Sequence, residues 1–153
     1  MYFDDLTPYA YSEVRLADDA PTLLNFGWLE GGHEYPRSLP PAGLADCTLR
    51  LASKYQAGMR GFHTCTLCPH NGAQLWMPLD DKRIYLGSAE IRIRSGDVTY
   101  VAPNLLPHYI AEHGYRPPAK VLKALESYCD NPDSADRKKP SSRFRAILAR
   151  LRR

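Results

Sequence analysis

Ile91 and Ile93 alternate with Arg92 and Arg94, and after Ser95-Gly96-Asp97 the alternation resumes at Val98, Tyr100 and Ala102. Period-two patterning around a glycine turn predicts a β-hairpin within IYLGSAEIRIRSGDVTYVAP, with both arginines on one face. The apolar run TLLNFGWL, residues 22–29, predicts a buried strand, and the glycine- and proline-dense EGGHEYPRSLPP after it predicts a loop. Helical spacing then recurs four times. A helix opening at Pro41 carries a rough apolar face of Leu44, Cys47, Leu49 and Leu51. A second, from about Pro103 to His113, spaces Leu105, Leu106, Tyr109 and Ile110 and ends at Gly114, a natural left-handed cap. A third, over roughly 118–129, opens at Pro117-Pro118 and sets Val121, Leu122, Leu125 and Tyr128 on one side. The fourth, SRFRAILARLRR, places Phe144, Ile147, Leu148 and Leu151 at i, i+3, i+4 and i+7.

Tyr2, Phe3, Tyr9 and Tyr11 lie among acids at the start of the chain, which suits an arm docked by its rings. The segment RGFHTCTLCPHNGAQLWMP is broken by Gly61, Pro69 and Gly72, so a short strand is expected to lead into a tight turn. NPDSADRKKPSS has the composition of a linker. The fold class that follows is α+β: a short antiparallel sheet and packed helices in one domain, residues 1–131, then a basic linker and amphipathic helix over 132–153.

Charge sharpens that division. The net charge of +3 hides eight basic residues and no acid from Arg137 onward, Arg143, Arg145, Arg150, Arg152 and Arg153 among them. The preceding residues hold twelve basic and seventeen acidic side chains, a net of −5. A basic tail on an acidic body can meet nucleic acid, an anionic surface or an acidic protein, or can pack on the body itself. No apolar run is long enough to span a membrane, and MYFDDLTPYA lacks the basic and apolar regions of a secretory leader. A cytoplasmic location is therefore expected, where thiols stay reduced. Cys47 and Cys129 read accordingly as free, buried small hydrophobes rather than a disulfide.

Cys65 and Cys68 form a C-x-x-C pair, with His63 and His70 close by and an H-x4-H pair, His108 and His113, further on. A C-x-x-C turn aims two thiolates at one point, and zinc prefers thiolate and imidazole in a tetrahedron. Residues i and i+5 of an ideal helix point about 140° apart, so both later histidines can bind only if the last turn loosens near Gly114. Otherwise His63 supplies the fourth ligand. A redox pair is the competing reading, but the Pro69-His70-Asn71-Gly72 loop after Cys68 is unlike the helix that follows a thioredoxin-type motif. His33 and His70 read as loop histidines. The H-x-E of zinc deaminases and the H-E-x-x-H of metalloproteases are absent, as are G-x-S-x-G, G-x-G-x-x-G and the Walker A pattern. His70-Asn71 matches only a fragment of an HNH nuclease motif.

The blocks GFHTCTLCP, LGSAEIRI and YVAPNLLPHYIAEHGYRPP, in that order, resemble an uncharacterised bacterial family of small domains of unknown function. Its members carry similar G-[FY]-H-x-C-x-x-C, G-x-[AG]-E-I-R and A-P-x-L-[IL]-x-H-Y-[IV]-x-x-H-x-Y-x-P-P patterns, and NFGWLEGGHEYPRS looks like its N-terminal strand and loop. The resemblance spans about residues 22–128 and leaves the tail outside. It implies a bacterial, cytosolic protein, groups His63, Cys65, Cys68, His108 and His113, adds Glu90, Arg92 and Tyr115, and names no activity. Glu90 and Arg92 share one strand face, either as a surface ion pair or as polar support for a metal-binding histidine.

The sequence thus leads to a small zinc-stabilised binding or accessory protein with Cys65, Cys68, His108 and His113 as ligands. Its partner would be a protein or an acidic surface. The alternatives are a zinc enzyme with an open metal position and Glu90 as general base, and a nucleic-acid binder acting through the basic tail.

Overall fold

A computed structural model describes residues 1–10, 22–54, 61–69 and 72–131. The expected C-terminal helix, its five arginines, His70 and Tyr11 lie outside the described residues. The elements run β1 (Thr22–Asn25), α1 (Leu44–Lys54), β2 (Trp76–Leu79), β3 (Lys82–Tyr85), β4 (Glu90–Ser95), β5 (Val98–Pro103), α2 (Leu106–His113) and α3 (Ala119–Asp130). The architecture is α+β.

The alternation at 91–102 forms the β4–β5 hairpin, with Ile91 and Ile93 fully buried and Ser95 opposite Val98. Gly96 takes the turn at φ +62°. β5 is the centre of the three-stranded sheet, ordered β1-β5-β4. β1 joins it in parallel, Leu24 beside Tyr100, so the sheet is mixed where an antiparallel one was expected. Parallel neighbours need a long crossover, and every element from α1 to β4 lies between these two strands.

The strand expected over 22–29 stops at Asn25 because Gly27 turns to φ +65°. Its N–H donates to the Asp5 carboxylate at 2.8 Å. Asp5 also accepts from the Tyr115 hydroxyl, 3.0 Å to each oxygen. The N-terminal arm is further held by Phe3, edge-on to buried Trp28, and by Tyr2, stacked on His33 at 3.8 Å.

Three further departures concern helices and strands. α1 begins at Leu44 rather than Pro41, α2 at Leu106 rather than Pro103, and the knuckle segment 61–69 forms no strand. Residues 103 and 104 differ from the expectation because β5 runs on through Pro103. The β2–β3 hairpin, turning at Asp80-Asp81, is an addition that the sequence pattern did not announce.

The core fills the space between sheet and helices with Phe26, Leu86, Leu105, Ile110 and Leu125 among its fully enclosed side chains. α1 packs on α2 and α3 and buries Leu44, Leu49, Leu51 and Ala52. Cys47 of α1 and Cys129 of α3 form a disulfide, correcting their reading as free thiols. Cys47 falls on the apolar face expected for its helix and Cys129 at the end of another amphipathic stretch, but no helical pattern in one dimension shows that two cysteines 82 residues apart meet side by side.

Candidate metal centre

The sulfur atoms of Cys65 and Cys68 and one ring nitrogen each of His108 and His113 all lie within 4.8 Å of one another. Each residue reaches this point by a separate device. The Cys65–Cys68 turn is anchored on one side by the His63 N–H, which donates to the Gly87 carbonyl at 2.8 Å. Gly87 sits at φ +87°, and any Cβ there would overlap the His63 carbonyl oxygen. Gly87 is fixed in turn by buried Asn104. The Asn104 Oδ1 accepts from the Gly87 N–H at 2.6 Å and its Nδ2 donates to the Tyr85 carbonyl at 3.3 Å. On the other side of the turn, the Thr66 hydroxyl accepts from the Gly31 N–H at 2.7 Å.

α2 supplies the histidines. Pro107 stands in its first turn, where a missing N–H costs least. At its end the N–H groups of Gly114 and Tyr115 both reach back to the Tyr109 carbonyl, five and six residues earlier. A bond five residues back marks a π-type turn, wider than the α-helical one. This is the loosening that lets His113 swing toward His108 and complete the cluster. Among the described residues His63 remains outside it, exposed beside the knuckle.

The separations are specific. The His113 Nε2 lies 3.3 Å from the Cys65 sulfur, 3.1 Å from the Cys68 sulfur and 3.2 Å from the His108 Nε2. The Cys68 sulfur is also 3.2 Å from the His108 Nε2. An imidazole nitrogen carries one proton or one lone pair, so it can satisfy one of three such neighbours. A tetrahedral ion with bonds of about 2.05 Å to nitrogen and about 2.3 Å to sulfur sets neighbouring ligand atoms about 3.3–3.8 Å apart. The observed 3.1–3.3 Å lies at or just below the short end of that range, so a small outward shift of the donors lets these four residues hold one metal ion. Without a cation, burial and then the adjacent Cys65 push the Cys68 thiol up to about 11. A divalent cation inverts that balance and holds both sulfurs as thiolates. Burial also raises the Tyr109 phenol, so it stays protonated and donates to the Leu29 carbonyl at 3.4 Å.

Residues 1–126 match the family described as Domain of unknown function (DUF7919). The chain belongs to this family. No curated protein and no solved structure matches it. The matched DUF7919 segment takes in the docked N-terminal arm as well as all four cluster residues, and the basic tail falls beyond it.

Other residues singled out in this DUF7919 chain sit elsewhere. Glu90 accepts from the Tyr9 phenol and, at 3.2 Å, from Arg92, and the Arg92 guanidinium lies 5.9 Å over the Tyr9 ring. Glu90's described hydrogen bonds therefore tie the arm to β4 rather than orienting a histidine. Tyr115 is buried and serves Asp5. Asn104 and Gly87, which position the knuckle, were passed over in the sequence. The available signal was an asparagine just before a helix, a side chain prone to bind nearby backbone.

Proposed function

We propose that this protein is a zinc-stabilised binding or accessory module of bacterial type, with Cys65, Cys68, His108 and His113 as the four ligands. The convergence of two sulfurs and two ring nitrogens on one point carries the reading. The soft sulfur and imidazole donor set suits zinc, whereas magnesium and calcium take oxygen ligands. Four protein ligands fill a tetrahedron, which supports a structural ion over an open catalytic position. The ion joins the knuckle to α2 across some 40 residues and offsets the entropy of closing that loop. We further propose residues 1–131 as the metal-binding unit, with 132–153 as a basic appendage that draws an acidic partner to it.

Metal content by plasma mass spectrometry, on protein purified without added metal, tests the reading. About one zinc per chain is expected, lost in the Cys65→Ser, Cys68→Ser variant together with its cooperative melt. Zinc absent from the wild type defeats the proposal; zinc lost with the fold intact converts it to a catalytic or regulatory metal. The cytoplasmic reading needs the Cys47–Cys129 bridge to persist against cellular thiols, which such bridges rarely do. Thiol trapping in intact cells decides that point: rapid alkylation of both cysteines means a reducing compartment.

A further inference from the structure

β2 and β3 form a two-stranded sheet of their own, and one face of it carries two exposed aromatic rings. Trp76 and Tyr85 are direct cross-strand partners, and each leaves about half its surface in solvent, 45% and 50%. The Arg83 guanidinium lies 4.5 Å over the Trp76 ring. By strand alternation Arg83 shares the face of Tyr85, since their positions differ by two. The other tryptophan, Trp28, is buried and donates to the Val101 carbonyl. The hairpin exposes these rings although the core beside it encloses Ile84 and Leu86.

A second observation adjoins the first. A cleft of about 1030 Å³ separates the hairpin from α1 and the end of α3, and Arg83 lines it as well. Four cations line the cleft, Arg50, Lys54, Lys82 and Arg83, with three carboxylates. One carboxylate, Asp80, is 3.5 Å from Arg50. Lys54 donates to the Tyr128 hydroxyl. Arg83 stands beside the exposed rings and reaches the cleft, while Lys82, one position earlier on β3, lines the cleft from the opposite face of the hairpin. The chain leaves the cleft wall at Cys129 and continues into a tail that holds eight basic residues and no acid.

We propose that this hairpin face and the adjoining cleft bind single-stranded nucleic acid. Flat exposed rings offer a stacking surface to unpaired bases, the Arg83 guanidinium beside them and the cations of the cleft take the phosphates, and Arg83 joins the two. A proline-rich peptide would use the aromatic rings but gains nothing from the cations. A simple anion would use the cations but leave the rings idle. A duplex hides its base faces and brings about one charge per 1.7 Å of axis onto a cleft that also holds acids. One strand satisfies both the rings and the modest positive excess, and the tail raises its local concentration. The site lies apart from the cysteine–histidine cluster, so it stands or falls independently of the metal.

The test uses the full chain and a fluorescein-labelled oligothymidylate of about 12 nucleotides, by anisotropy at about 50 mM salt. Trp76→Ala is expected to weaken binding about tenfold, with Trp76→Phe restoring most of it. Arg83→Gln is expected to lower the slope of log affinity against log salt by about 1. A duplex of the same length should compete poorly. Should Trp76→Ala melt early, wild-type tryptophan fluorescence decides, because buried Trp28 leaves Trp76 to report stacking as quenching. The proposal is overturned if the wild type does not bind, if binding leaves Trp76 unquenched and insensitive to substitution, or if a proline-rich peptide occupies the face and the oligonucleotide does not. It is equally overturned if only neutralising Arg143, Arg145, Arg150, Arg152 and Arg153 abolishes binding, which would place the whole effect in the tail.

Discussion

Opening the Cys47–Cys129 bridge tests how much of this fold rests on a covalent tie that the helical patterns concealed. The bridge closes a loop 82 residues apart in sequence. Chain entropy alone then gives about 4.5 kcal/mol at 25 °C, by the logarithmic dependence on loop length. Spread over a unit of about 130 residues, that corresponds to a fall in Tm on the order of 15 °C for the Cys47→Ser, Cys129→Ser variant. α1 is the helix that links the two ends of this effect. It packs on α2, which carries both histidines, and through the bridge it holds α3. Urea denaturation of both proteins, with metal content held constant, measures the difference. Thiol titration in denaturant with a chelator supplies the control: two reactive thiols in the unreduced wild type, those of Cys65 and Cys68. Four thiols, or a stability loss below about 1 kcal/mol, would refute the reasoning and return Cys47 and Cys129 to the status of buried free cysteines.

Two further substitutions probe the supports of the site and the arm. Gly87→Ala puts a methyl into the His63 carbonyl at a left-handed backbone position, so we expect a loss of about 2–4 kcal/mol and weaker metal retention; an unchanged melt and metal content would show that the knuckle is not seated there. Asp5 has its pKa raised above the usual value near 3.8, chiefly by burial, so the stability it contributes is full below that value and lost as pH rises through the raised one. Asp5→Asn keeps an acceptor for Gly27 and Tyr115 but cannot ionise. Its Tm relative to wild type should therefore climb as pH rises above the ordinary carboxylate value near 3.8, and a flat or falling difference would contradict the burial of a charge-bearing Asp5.

The disulfide also shows where one-dimensional reasoning stops. A helix face is a local property, set by spacing within a few turns, and the faces of α1 and α3 were legible for that reason. Their meeting was not, because it depends on how both helices settle on the same core. The parallel seating of β1 beside β5 was hidden in the same way. β1 is only four residues long and only its last residue is buried, too short a pattern to show its neighbour's direction, and the crossover that permits it is built from everything between them.

The candidate site divides along the same line. The donor atoms were readable, since C-x-x-C and paired histidines are chemical choices made residue by residue. That His108 and His113 both converge, with His63 left out, was conditional in the sequence. It turns on the wide final turn of α2, whose hydrogen bonds run to Tyr109 from Gly114 and Tyr115. Gly87, Asn104 and Asp5 escaped notice because each acts through a backbone group far along the chain. The exposed pairing of Trp76 with Tyr85 likewise needed the β2–β3 register. Local spacing and side-chain chemistry, then, were determined by the sequence alone: the hairpin at 91–102, the helical faces and the four metal-type donors. Only the tertiary structure decided which donors meet, which cysteines join and which rings stay in water, because those outcomes belong to the packing of distant segments rather than to any one of them.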